Sequence, residues 1–309
     1  MPYHLFTRPM LIGLDIQPHE IRWLRVSQTR NDLIVENFEI MPRASILEPD
    51  AAGYWSTLQA SLTAIVAAHA WQNLPVALAI RATDVINKSL RVKSGLSNAE
   101  INTAILKHIQ HELPGMDVDI CLDYALMSPP TDTEQEILFV ATRGETLQRY
   151  LDTVQAAGLK VKIVDVDYYA LLRGACYGLR SSHQAIGLLL LDEVRSIFII
   201  AQDGKILLAQ EWTLIDADRP ARLHQCLQLY TANEQTSPIE KILLCTVAMT
   251  EEIAVIKKMC MVEYRIPVEI INPWSKLSLN AVCSPEKFQH YAPRLLQCLG
   301  LVMREVPRW

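Results

Sequence analysis

The stretch LIGLDI at residues 11–16 decides the fold, because the same kind of buried strand returns in the second half of the chain as IGLLLL at residues 186–191. A short polar turn and two further strand-like segments follow each run, at residues 21–28 and 33–42 and again at 195–202 and 205–212. Runs of β-forming residues bounded by turn residues, such as Asp203-Gly204, are typical of antiparallel hairpins. The sequence therefore predicts two β-meanders related by an internal duplication.

Helices and buried strands follow each meander. Apolar residues recur at helical spacing between Trp55 and His69, and PVALAI at residues 75–80 is a candidate buried strand. The second half has a helical stretch at 222–231, a strand at 241–245, a helix through Ile253 and Met259, a strand at 268–271 and a last helix capped by Ser284-Pro285. Strands that alternate with helices in this way predict an α/β fold.

Residues 84–166 form a separate segment between the two halves. Ser97 and Glu100 have the spacing of a capping box, in which each side chain satisfies a backbone donor of the first helical turn. The helix that follows should run to Leu113, and strand, strand, helix and strand patterns come after it. The segment is therefore predicted to be an inserted β-α-β-β-α-β subdomain.

Composition excludes several functional classes. The chain has 309 residues, is 50% hydrophobic, carries a net charge of -5 and has seven cysteines without a CxxC pair. Scattered thiols favour a reducing, cytoplasmic location, and the negative charge disfavours nucleic acid as a partner. We find no signal-peptide pattern, no run long enough to cross a membrane, no Walker loop and no metal-binding or nucleophile motif.

The order of these elements resembles the PilM and HofM family of type IV pilus assembly proteins, within the actin-like ATPase superfamily. The residues that carry the resemblance are LIGLDI at 11–16, VDVDYYALLRGA at 164–175, VEIINPW at 268–274 and YAPRLLQCLGLVMRE at 291–305. The cytoplasmic domain of type II secretion GspL proteins shares much of the pattern, but it is joined to a transmembrane helix.

The resemblance implies an actin-like, ribonuclease H-like duplicated α/β fold. Its first lobe would comprise residues 1–83 and 167–184, and residues 84–166 would be an SHS2-like partner-binding insert. The second lobe, residues 185–309, would lack most of the subdomain that roofs the cleft, because the interval from Glu211 to Ile239 holds only a linker and one helix.

The resemblance also implies a nucleotide site between the two meander turns, but this sequence departs from it. The matching positions are Asp15, Gln17 and Arg22 in the first turn, Asp192 and Val194 in the second, and Thr246 in the purine loop. Gln17 replaces a glycine that allows close approach, Pro18 removes a donor, and Glu20 would repel phosphate. We therefore expect a pseudo-ATPase without a cofactor. The alternative is an actin-like ATPase that is switched by ATP and Mg²⁺.

The resemblance further implies a protein partner. PilM grips the N-terminal tail of PilN, a bitopic inner-membrane protein, and links it to the pilus motor ATPase. On this chain the groove would be lined by Val85, Leu90, Val92, Leu122, Tyr124 and Leu126, which are equally compatible with an internal core. Residues 84–168 hold thirteen Asp and Glu against eight Lys and Arg, and this charge would attract a basic juxtamembrane segment. The protein would then be cytoplasmic and reach the inner membrane only through its partners.

Overall fold

The computed structural model describes residues 8–29, 33–43, 51–112, 119–127, 133–177, 179, 183–192, 195–213, 218–233, 236–246 and 251–305. The first part contains β1 (Arg8–Ile16), β2 (Glu20–Gln28), β3 (Leu33–Pro42), α1 (Tyr54–His69) and β4 (Pro75–Ile80). Strands β1, β2 and β3 form an antiparallel meander, and β4 pairs with β1 in parallel. Leu11, Ile12 and Leu14 are all buried, so β1 is covered on both faces, as its continuous apolar run predicts.

The insert begins with β5 (Ile86–Lys93), α2 (Asn98–Glu112), β6 (Ile120–Leu126) and β7 (Glu134–Arg143). The predicted capping box is confirmed, because Ser97 N donates to Glu100 Oε2 at 2.8 Å and Glu100 N donates to Ser97 Oγ at 3.4 Å. The strands form a three-stranded sheet in the order β5-β7-β6. Helix α2 buries its predicted apolar stripe of Ile101, Ile105 and Ile109 against one face of this sheet.

The last two elements of the predicted subdomain are α3 (Gly144–Ala156) and β8 (Lys160–Val166). The six elements occur in the predicted order, but β8 does not join the sheet of the insert. It lies beside β4 at one edge of the first meander's sheet. In the part of the chain that the structure describes, the sheet of the insert therefore comprises β5, β6 and β7, and β8 pairs outside it.

The second half confirms the predicted duplication. Helix α4 (Asp167–Ala175) leads to β9 (Ala185–Leu191), β10 (Arg195–Gln202), β11 (Lys205–Thr213), α5 (Arg219–Thr231), β12 (Ile239–Thr246), α6 (Glu251–Glu263) and β13 (Val268–Ile270). The sheet order β11-β10-β9-β12 repeats β3-β2-β1-β4, with the fourth strand again parallel to the first. Among the described residues between β11 and β12, α5 is the single helix, as expected for a reduced second lobe.

The C-terminal segment returns to the first sheet. It contains β14 (Leu277–Leu279), α7 (Pro285–Tyr291) and α8 (Leu296–Val302), and β14 pairs in parallel with β3. Helix α8 packs against α4 so closely that a Cβ on Gly300 would lie 1.7 Å from Ala170 O and one on Gly174 would lie 2.0 Å from Leu296 O. This segment, predicted as part of the second lobe, contacts both halves: β14 pairs with β3 and α8 packs against α4, while Arg195 of β10 donates to Gln297 of α8.

The described residues divide into two compact units. The first falls within residues 1–46, 75–79 and 162–309, and so holds both meander sheets. The second falls within 47–74 and 80–161, and joins α1 to the insert. In this second unit the Trp55 ring on α1 and the Tyr150 ring on α3 meet edge to face at 5.0 Å. In the part of the chain described above, no helix combines the length and hydropathy needed to cross a membrane.

Candidate functional site

The two meander turns share an equivalent backbone hydrogen bond. In the turn between β1 and β2, Gln17 N donates to Glu20 O at 2.9 Å, and in the turn between β9 and β10, Asp192 N donates to Arg195 O at 3.1 Å. These amides are therefore used within their own hairpins. In a phosphate-binding loop such donors point at the ligand instead.

Arg22 lies at the centre of a buried charge cluster between the two turns. The register of β1 and β2 sets it directly opposite Asp15, and its Nη1 lies 3.8 Å from Asp15 Oδ2. Its Nη2 donates to Asp192 Oδ2 at 3.1 Å, and its Nε donates to Glu20. Arg22 and Asp15 are each 1% exposed, so protein atoms cover these charges.

Arg294 closes the cluster from the C-terminal segment, in the 3-10 turn Ala292–Leu295. Its Nη2 pairs with Glu20, and its Nε lies 3.8 Å from Asp192 Oδ2. Its backbone carbonyl also accepts a hydrogen bond from Arg22 Nη1 at 3.0 Å. The two arginines therefore hold the acids of both turns together.

A second pair of arginines surrounds the turn that begins at Asp192. Arg219 Nη2 donates to Asp192 O at 2.8 Å, while its Nη1 contacts Glu252 Oε2 at 3.2 Å. Arg195 Nη2 donates to Gln297 Oε1 at 2.6 Å, and its Nη1 lies 3.2 Å from Glu211 Oε1. Each of these arginines thus has a carboxylate partner within the protein.

Burial is the largest influence on the pKa values of Asp15 and Asp167. It raises the pKa of Asp15 even though Arg22 and Arg195 oppose the change. Asp167, at the start of α4, is 4% exposed, and burial raises its pKa to about 7 despite the attraction of Arg195. Burial lowers the pKa of Arg22, but Glu20 and the neighbouring aspartates raise it by more, so Arg22 stays charged.

Most of the predicted nucleotide positions come together, but as partners of one another. Gln17 donates to Asp15 Oδ1 at 2.6 Å, and Arg22 joins Asp15 to Asp192. Thr246 is half-buried and pairs with Leu191 in the sheet, one residue before Asp192. Val194 lies outside the described residues. Among those that are described, no group of three His, Cys, Asp or Glu side chains could hold a metal ion.

Sequence reasoning did not identify the roles of three charged residues, Glu20 and Arg294 in this cluster and Asp167 outside it. Glu20 was treated as a group that repels phosphate, whereas it accepts hydrogen bonds from Arg22 and Arg294. Arg294 lies 274 residues from Glu20, so no local spacing links them. Asp167 lies in the quoted stretch 164–175, and a charged residue at the start of an otherwise apolar helix was the available signal.

The predicted partner groove does not form as an open surface along its whole length. Val92 is buried, and Leu90, Leu122 and Tyr124 pack with it against Phe139 and the helix α2. These residues form the core of the insert, because their side chains point to the face that α2 covers. Val85 is half-buried, and Leu126 is 55% exposed. Of the six predicted positions, Leu126 at the end of β6 is therefore the most accessible.

Comparison with known proteins agrees with this architecture. A model of the family described as type IV pilus assembly protein PilM matches residues 13–194. A solved PilM-PilN type IV pilus biogenesis complex contains a chain that is 17% identical, with a TM-score of 0.75, over 97% of this chain and 99% of that one. The cytoplasmic domain of EpsL, an inner-membrane component of the type II secretion system of Vibrio cholerae, is 14% identical, with a TM-score of 0.50, over 96% of each chain. The predicted actin-like α/β fold is confirmed.

Proposed function

This chain belongs to the family of type IV pilus assembly protein PilM, and on that basis we propose that it is a non-catalytic scaffold, a pseudo-ATPase that holds partners of a pilus or related assembly machine. It would work in the cytoplasm, without a cofactor, and associate with the inner membrane through those partners. The observation that carries the proposal is the buried ion pair between Arg22 and Asp192.

A nucleotide would have to break that pair. In an actin-like site, phosphates and Mg²⁺ would lie between the two turns, where they would meet Asp15, Arg22 and Asp192. Here Arg22 already contacts Asp15, Asp192 and Glu20, and Arg294 covers them. Because removing one partner from a buried pair leaves an uncompensated charge, a phosphate that displaced Glu20 or Asp192 would have to overcome a large desolvation cost.

The partner-holding role draws on the relative solved as a PilM-PilN complex. We propose that the partner is a PilN-like inner-membrane protein, bound through its N-terminal cytoplasmic tail, with the pilus motor ATPase as a further partner. The acidic insert supports this choice, since residues 84–168 hold thirteen acidic and eight basic side chains. A basic tail close to the membrane is the complementary chemistry.

Calorimetric titration of the full chain with ATP and Mg²⁺ tests the first half of the proposal. We expect no saturable heat. Arg294→Ala provides a matched variant, because it uncovers the cluster while keeping Asp15, Arg22 and Asp192. Micromolar binding by the unaltered chain would contradict the scaffold and favour a nucleotide switch.

Titration with a peptide that copies the N-terminal cytoplasmic tail of a PilN-like protein tests the second half. We expect saturable binding that weakens several-fold in Leu126→Ser and as salt is raised. Val282→Ser, at an 83% exposed position in the first unit, is the control. If neither Leu126→Ser nor added salt weakens the binding, the tail binds at another surface.

A further inference from the structure

Within the residues that the structure describes, strand β11 is paired on one side only. The two larger sheets end at β14, β8, β11 and β13. Strands β13 and β14 have three residues each, and β8 carries Lys160 and Lys162. Short edge strands and lysines on an edge strand both hinder pairing with a further strand. Strand β11 has nine residues, and among the described residues its partner is β10 on one side. Its other side therefore offers backbone donors and acceptors to a further strand.

A groove runs between β11 and the helix α5. It consists of two adjoining cavities of about 490 and 370 Å³ that share Leu229. Along the groove, Trp212 on the strand lies with Arg222 on the helix in one cavity, and Leu207 lies with Tyr230 in the other. The strand and the helix thus form the two walls of one groove.

Both walls carry an exposed leucine. Leu229 on α5 is 64% exposed, and Leu207 on β11 is 39% exposed. Leu207 is the extra residue where the register of β10 and β11 shifts, between Ile200 and Ala201, so the bulge turns it outward. Two large apolar side chains that face each other across a groove favour an apolar side chain between them.

The charged side chains that line the groove, Glu211 and Arg222, both lie in the larger of the two cavities. Glu211 is engaged by Arg195 and by the hydroxyl of Tyr168. Arg222 is exposed, and within the described ranges it has no carboxylate partner. Seven helical residues separate Arg222 from Leu229, which is about 10 Å, the length of about three residues of extended chain.

We propose that this groove docks an extended segment of a partner protein, which adds a strand to β11 and carries an acidic residue two or four positions from a large apolar one, the spacings nearest to three at which the side chains of a strand point to the same face. The backbone of the segment pairs with the unpaired side of β11, its carboxylate binds Arg222, and its apolar side chain lies between Leu207 and Leu229. In strand addition of this kind, hydrogen bonds between backbones supply the affinity, and side-chain contacts supply the specificity. The surface is separate from the insert, so the inference does not depend on the proposed function.

Fluorescence anisotropy with the full chain tests the docking. The probes are two labelled nine-residue, strand-forming peptides, one with glutamates two and four positions before leucine and one with the reverse order, because the direction of the added strand is open. We expect one of them to bind saturably, and Leu229→Ser and Arg222→Glu each to weaken it at least tenfold. Val255→Ser, at an exposed position on α6, is the matched control and should bind as the unaltered chain does.

A charge exchange makes the test specific. The peptide with arginine in place of both glutamates should bind Arg222→Glu better than it binds the unaltered chain. The proposal is overturned if neither peptide binds saturably below about 1 mM. It is also overturned if Leu229→Ser leaves binding unchanged, or if the chain forms a dimer that Leu229→Ser dissociates, because the groove would then hold a second copy.

Discussion

Arg22 Nη2 lies 3.1 Å from Asp192 Oδ2, although the two residues are 170 positions apart in the sequence. One belongs to the first meander and the other to the second, so this buried pair joins the two halves of the duplication. Arg294 adds a third contact from the C-terminal segment. The two meander turns are therefore joined by the protein's own charges.

Replacing Arg22 should destabilise the protein strongly. Arg22→Met removes the cation that faces Glu20, Asp15 and Asp192, and breaking a buried pair by removing one partner costs about 3–5 kcal/mol. Urea unfolding followed by circular dichroism measures the loss. Arg25→Met, on the same strand but half-buried and outside the cluster, should change the free energy of unfolding by less than about 1 kcal/mol. Equal losses of unfolding free energy in Arg22→Met and Arg25→Met would show that the buried cluster stabilises the protein no more than a half-buried arginine outside it.

The buried carboxyl of Asp167 should make stability depend on pH. Its pKa rises from 3.8 to about 7 on folding, so between these values the folded chain holds a proton that the unfolded chain has released. Stability must then fall as pH rises from about 4 to about 7.

Asp167→Asn removes this dependence, because asparagine stays neutral and its side-chain oxygen can still accept from Tyr168 N. The variant should gain stability relative to the unaltered chain as pH rises, by on the order of 4 kcal/mol at pH 8. Urea unfolding at several pH values checks the slope. A difference in unfolding free energy between the variant and the unaltered chain that stays constant across these pH values would mean that Asp167 is ionised throughout.

The contact between α4 and α8 should tolerate no side chain at Gly300. Alanine normally stabilises a helix relative to glycine by about 1 kcal/mol. At Gly300 the added Cβ would lie 1.7 Å from Ala170 O, so Gly300→Ala should lower the melting temperature instead. Gly144→Ala is the comparison, since its Cβ would first meet the movable carboxylate of Asp119. A gain of stability at Gly300 would mean that the helices can separate without cost.

The two ends of strand β6 should respond differently to polar substitution. Leu122 packs into the core of the insert, so Leu122→Ser should cost about 1–3 kcal/mol. Leu126 is 55% exposed, so Leu126→Ser should stay within about 0.5 kcal/mol of the unaltered chain. Thermal unfolding distinguishes them, and similar losses in both would show that Leu126 is part of the core.

Much of the fold could be predicted because its signals are local. The apolar runs at 11–16 and 186–191, the Asp203-Gly204 turn and the Ser97–Glu100 capping box each specify their structure within a few residues. Asp15 and Arg22 also come together locally, because one hairpin sets them opposite each other. The sequence alone thus determined the meanders, the duplication, the insert and the composition of the first turn.

Only the tertiary structure decided how distant segments combine. Strand β8 follows the insert in the chain but pairs with β4, and β14 follows the second half but pairs with β3, since the pairing of distant strands leaves no local pattern. The pairing of Arg294 with Glu20 also leaves no local pattern in the sequence. Nor does the sequence show that Leu122 packs against the core of the insert while Leu126 is exposed. Whether a charged residue repels a ligand or neutralises a neighbour depends on which charges folding buries beside it, and that is a property of the folded chain alone.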